Sequence, residues 1–93
     1  MSRETDALTE EELKAMAARC EAASAAPWVS MVEGRDHTSG SSFIMTGSPG
    51  QRCEDIELSG ATTADQDFIA HARQDVPRLV EEIHRLRRLL TGE

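Results

Sequence analysis

Residues 27–33 read Pro27-Trp28-Val29-Ser30-Met31-Val32-Glu33, and here the chain changes period. Upstream the apolar residues recur at helical spacing. The proline halts that pattern, because the residue before a proline is pushed out of the helical region. The β-favouring residues after it alternate in part, as a half-buried strand does. Two similar runs follow: Ser42-Phe43-Ile44-Met45-Thr46, and Cys53 to Leu58. In the last, Cys53, Asp55 and Glu57 share one side, with Ile56 and Leu58 on the other. Gly34 to Gly40 and Gly47-Ser48-Pro49-Gly50 supply turn chemistry between the runs. Strands this close in sequence pair most simply as a three-stranded antiparallel meander.

Helices are expected on both sides of this region. Thr9 with Glu12 three residues on forms a capping box, and Leu8 with Leu13 has the spacing of a hydrophobic staple. Glu10, Glu11 and Glu12 sit where the helix dipole favours anions. Leu13, Met16, Ala17 and Cys20 continue one face to about Ala23, with the alanines fraying to Ala26. Downstream, Thr62 or Thr63 can cap a helix, and Asp75 can cap a second with Pro77 in its first turn. Residues 61–91 therefore form one kinked helix or two. Within them Val76, Leu79, Ile83, Leu86 and Leu90 step by 3, 4, 3 and 4, a heptad seam widened by Val80 and Leu89. The seam exceeds what a small sheet needs to cover it, and two heptads are too few for a free-standing coiled coil. It is expected to serve as core, or as core and homo-oligomer interface together.

The expectation is a single α+β domain over residues 1–93. A polar tail (1–8) precedes a helix (9–26), a strand region (27–60) and a helical segment (61–91). The order is α-β-β-β-α, with both helices packed on one face of the sheet.

With 93 residues, the chain buries only roughly 60–65 % of its unfolded surface. Its net charge of −7 is uneven: residues 1–57 carry 11 acids against 5 bases, and residues 58–93 carry 6 against 5. Such a surface repels phosphate backbones, which argues against general nucleic-acid binding and fits a basic partner or plain solubility. Cys20 and Cys53 match neither a disulfide framework nor a zinc motif, so both read as thiols of a reducing compartment. A polar N-terminus and the lack of a long apolar run lead us to expect no signal peptide, no membrane span and a cytoplasmic protein.

Three segments carry a resemblance. One is Arg19-Cys20-Glu21-Ala22-Ala23-Ser24-Ala25-Ala26-Pro27-Trp28, and another is Ala64-Asp65-Gln66-Asp67-Phe68-Ile69-Ala70-His71-Ala72-Arg73. The third is Asp75-Val76-Pro77-Arg78-Leu79-Val80-Glu81-Glu82-Ile83. Together the chain resembles the Ead-like early-region proteins of phages and prophages. In those, a helix ends in an Ala-Thr-Pro-Gly-Pro-Trp-like stretch, variable strands follow, and an Ala-Asp-x-x-Phe-Ile-Ala segment leads into a Leu-rich helix. The likeness covers about half of the chain, at its two ends. Ser-Ala-Ala-Pro-Trp here replaces the glycine-containing turn. The resemblance implies a phage accessory product without catalytic residues, acting against host functions in the host cytoplasm.

No chemistry is evident in the residues themselves. His37, His71 and His84 belong to no recognisable metal motif, and Asp65 and Asp67 are explained by the helix dipole. We therefore expect no metal, no cofactor and no catalytic group. Binding potential lies in residues 34–52, where Arg35, His37, Thr38, Ser39, Ser41, Thr46, Ser48 and Arg52 combine small residues, hydroxyls and guanidinium groups. Such loops can cradle an anion, and Trp28 can stack on a base. The plainer reading is turn residues and a core tryptophan. Arg78, Arg85, Arg87 and Arg88 complement the helix C-terminus.

Two functions follow from this, both inhibitory by binding. An oligomer could sequester a host signalling nucleotide, such as a cyclic nucleotide, in loops brought together at subunit contacts. Alternatively, an acidic face including Glu10 to Glu12 and Glu21 could dock on a host defence protein such as a CRISPR effector or nuclease. A structural or regulatory oligomeric subunit without a ligand is a third option.

Overall fold

The computed structural model describes residues 7–92. Helix α1 spans Glu10–Ala22, strand β1 Trp28–Met31, strand β2 Phe43–Thr46, and helix α2 Thr63–Thr91. The molecule is elongated, 52 × 35 × 19 Å, because α2 alone runs 29 residues. The polar tail expected over residues 1–8 lies largely outside the described residues.

Both helices begin at side chains that satisfy their first N–H groups. The Glu12 N–H donates to Thr9 Oγ1 at 3.0 Å, and the Thr9 N–H donates to Glu12 Oε1 at 3.2 Å. Thr62 and Asp65 repeat this box at the head of α2, both at 3.0 Å. The staple residue Leu13 is fully buried. Helix α1 closes at Ala23, ahead of the cis Ala26–Pro27 peptide. Helix α2 closes at Gly92, whose φ of +79° suits the left-handed cap.

The question of one helix or two resolves to a single helix. Asp75 caps nothing, and Pro77 lies in the interior of α2, where it leaves the Arg73 carbonyl without its usual i+4 donor.

The sheet has two strands, antiparallel, with Trp28 opposite Thr46 and Met31 opposite Phe43. The third strand expected over 53–58 is reduced to one antiparallel bridge. Ile44 and Ile56 exchange N–H···O bonds of 2.8 and 2.9 Å, and the Cys53 N–H reaches the Thr46 carbonyl at 3.1 Å. Glu54, Asp55 and Glu57 around it are exposed, so only Ile56 and Leu58 have apolar area to bury and the ladder does not extend. Gly47 makes the corner after β2. Its φ is +84°, and a Cβ there would sit 2.5 Å from the Gln51 carbonyl oxygen.

Helix α2 is fastened to the hairpin by two glutamines. Gln74 pairs with the backbone of Trp28 on the outer edge of β1, accepting from its N–H at 2.8 Å and donating to its carbonyl at 3.2 Å. Gln66, two turns earlier and buried, donates from Nε2 to Ser30 Oγ and the Phe43 carbonyl at 3.0 and 3.1 Å. The apolar core is small: Leu13, Val32, Ile44, Ala70 and Val80. No helix among the described residues is long and apolar enough to cross a membrane.

Replacing Gln66 by Leu removes the buried donor shared by the Ser30 hydroxyl and the Met31 and Phe43 carbonyls and offers nothing polar in its place. A loss of about 2 kcal/mol is expected, read as a lower urea midpoint at unchanged slope. Gln51→Leu, in an exposed turn, is expected to change stability by less than about 0.5 kcal/mol.

Candidate functional site

The segment Val32–His37 is a tight loop after β1. The N–H groups of Arg35 and Asp36 both donate to the Val32 carbonyl, at 3.0 and 2.8 Å. Asp36 returns the contact by accepting the Val32 N–H at 2.8 Å. This places the Arg35 side chain over the start of α2. Its Nη1 and Nη2 grip Asp67 bidentately at 2.8 and 3.0 Å, and its Nε donates to Asp36 at 3.0 Å. The guanidinium lowers the Asp67 pKa to about 2, with the Ser30 hydroxyl helping, and it also lowers that of Asp36. Arg35 itself is raised by the two carboxylates.

Around this triad lies a cleft of about 340 Å³ lined by Trp28, Val29, Ser30, Arg35, Asp67 and His71. It unites two of the residues expected to bind, Trp28 and Arg35. Trp28 is half-buried, and its indole N–H donates to the Ser24 carbonyl at 3.0 Å, a carbonyl that also receives the Arg73 Nε–H. His71 Nδ1 lies 2.8 Å from the Asp67 carbonyl oxygen.

The other candidates are placed elsewhere. His37 stacks at a tilt on Phe43, accepts the Ser39 N–H at Nδ1, and turns Nε2 toward the Met31 carbonyl. Ser39 Oγ lies 2.8 Å from the same Nδ1. Thr38 and Ser41 are exposed in that loop. Thr46 is fully buried and donates its hydroxyl to the Glu54 carbonyl, so it serves the hairpin. Ser48 is half-buried, with its carbonyl accepting the Gln51 N–H. Arg52 extends along Met45 into a separate cleft with Cys53, Glu54 and Asp55. Within one chain, Arg35 and Arg52 therefore do not converge.

Sequence reasoning had assigned Asp67 to the helix dipole and had left Gln66 and Gln74 unassigned. The i,i+4 spacing of Asp67 and His71 did place both on one face, but nothing local ties either to Arg35.

A second surface runs along α2. Helix α1 covers one flank: Val80 is buried, Arg87 donates to Glu10 and to the Leu8 carbonyl, and Arg73 reaches Ser24. The seam itself is open. Leu79 is 61 % exposed and Leu90 86 %, Val76 and Leu86 are also exposed, and Ile83 is half-buried. Phe68, at 74 %, extends the stripe toward the head of the helix. Met16, Cys20, Ile69, Ala72 and Val76 line the shallow groove between α1 and α2.

No protein-family model, no curated protein and no solved structure matches this chain.

The Arg35–Asp67 contact sets an acid dependence. Asp67 titrates near 2 when folded against 3.8 ordinarily, so the stability it lends is complete above about pH 4 and is lost as pH falls through its folded value. Asp67→Asn is expected to flatten the stability–pH curve between pH 4 and 2. Parallel curves for variant and wild type would show that the contact adds nothing.

Proposed function

We propose that this chain is a non-enzymatic accessory protein of a phage or prophage that acts by binding a host defence protein, in a self-associated form. One observation carries the reading. Among the described residues more large apolar side chains lie outside the core than in it, eight exposed against five core hydrophobics counting Ala70. Contiguous exposed apolar surface of this kind marks an interaction site. The Ead-like resemblance supports the phage origin and the absence of catalysis.

The partner's character follows from charge. Glu11 in the first turn of α1, and Glu54, Asp55 and Glu57 after β2, are exposed and accept no hydrogen bond from another side chain among the described residues. They offer a basic protein long-range attraction. A nucleotide reading rests on the cleft that joins Trp28 to Arg35. There a phosphate would have to displace two carboxylates from the guanidinium, which favours the protein partner.

The test is capture of host proteins on the immobilised protein at low and high salt, with cyclic dinucleotides offered separately under native mass spectrometry. A single basic host protein is expected to be retained at about 50 mM salt and lost at about 500 mM, where the Debye length falls below 5 Å. Glu11→Lys combined with Glu54→Lys should slow association at least about tenfold. Salt-independent capture would count against the acidic docking surface, and a mass gain of one nucleotide per oligomer would favour sequestration instead.

A further inference from the structure

We infer that the open stripe of α2 seats a second copy of this chain, with the two α2 helices antiparallel. The inference rests on the self-associated form proposed above and gives it a geometry.

The stripe is longer than the heptad seam alone. Phe68, Ala72, Val76, Leu79, Ile83, Leu86 and Leu90 are separated by 4, 4, 3, 4, 3 and 4 residues, which keeps them on one side of the helix for its whole useful length. Helix α1 occupies the flank of Arg73, Val80 and Arg87, and the sheet occupies the flank of Gln66, Ala70 and Gln74. Phe68, Ala72 and Val76 border the shallow groove beside α1, and from Leu79 to Leu90 the stripe is left mostly open.

Charge selects both the occupant and its direction. Residues 63–77 of α2 carry Asp65, Asp67 and Asp75 against Arg73, a balance of −2. Residues 78–92 carry Arg78, Arg85, Arg87 and Arg88 against Glu81 and Glu82, a balance of +2. An antiparallel copy lays each half on its opposite and opposes the two helix dipoles. A parallel copy lays like on like. A two-fold axis makes one surface complementary to itself, which is what a stripe with this internal charge reversal provides.

The apolar residues also fit an antiparallel register. With the axis near Glu81, Ala72 meets Leu90 of the second copy, Val76 meets Leu86, and Leu79 meets Ile83. Every layer from Ala72 to Leu90 is then apolar on both sides. The same register sets Asp75, at the edge of the stripe, within the basic half of the second copy. Asp75 makes no ion pair among the described residues of the single chain. Glu82, which comes nearest its own counterpart at the axis, is held back by Arg85 at 2.6 Å.

Sedimentation equilibrium of the wild type should give twice the chain mass, and Leu79→Asp the chain mass with an unchanged far-ultraviolet spectrum. Direction is read by thiol coupling in a Cys20→Ala, Cys53→Ser background. Ala72→Cys protein mixed with Leu90→Cys protein should form a mixed disulfide, whereas Leu90→Cys alone should stay uncoupled. Self-coupling of Leu90→Cys without the mixed product would overturn the antiparallel seating, and a wild-type monomer at about 100 μM would overturn the second copy altogether. These outcomes are separable from the host-binding reading. A wild-type dimer that captures no host protein sinks host binding alone, and a monomer that captures one sinks self-association while host binding stands.

Discussion

Two side-chain amides on one helix hold the molecule together. The hairpin is four residues long on each side, which is too short to be stable alone. Its outer strand presents backbone N–H and C=O groups that must find partners. Gln74 offers Trp28 a donor and an acceptor in the arrangement a neighbouring strand would offer, so α2 acts as the missing third strand at that point. Gln66, from a buried position, ties the two strands together at the other end by donating to Ser30 Oγ and to the Met31 and Phe43 carbonyls. On the opposite edge the Ile44–Ile56 bridge and the Thr46–Glu54 contact close what remains. The polar satisfaction is complete: no buried side-chain nitrogen or oxygen lacks a partner among the described residues.

This arrangement explains why the apolar surface ends up outside. A helix that meets its sheet through glutamines and alanine needs little of its apolar stripe for that contact. The face of α2 at Gln66, Ala70 and Gln74 faces the hairpin, while the stripe at Phe68, Leu79, Leu86 and Leu90 is rotated away from it. Helix α1 takes up only Val80 and its neighbours. The five-residue core that results is small even for this length, and the molecule is stretched along α2 rather than rounded. Burying the stripe elsewhere would recover roughly 25 cal/mol for each Å² removed from water, a strong thermodynamic reason for a binding role.

Much of this was legible in the residues. Both helix starts were written in their capping boxes, because a Thr followed three positions on by Glu or Asp satisfies two orphan N–H groups at once. The strand pair was written in alternating β-formers between glycine-rich turns. The third strand is where the pattern overstates the structure: Cys53 to Leu58 alternates, but with three acids in six residues it has only Ile56 and Leu58 to bury, and one bridge is what forms. Pro77 leaves one kinked helix and two helices both open in the sequence; one forms, because a helix with strong caps at both ends tolerates one missing bond. The Arg35–Asp67 contact was invisible, since nothing in either neighbourhood specifies a partner 32 residues away.

That contact also bears on what the loops can bind. Arg35 is the one loop cation that reaches a cleft with Trp28, and it is already matched in geometry and charge by a bidentate carboxylate. Arg52 lies in another cleft beside Glu54 and Asp55. Sites that capture anions keep their cations uncompensated until the ligand arrives, because a phosphate gains most from a guanidinium that has no better acceptor nearby. Here the compensation is built in, and it joins the loop after β1 to the start of α2 at the place where Gln66 fastens the sheet. The contact reads as a structural clasp. The open surfaces, acidic at the head of α1 and after β2 and apolar along α2, are then the parts of the single chain whose groups are not matched within it.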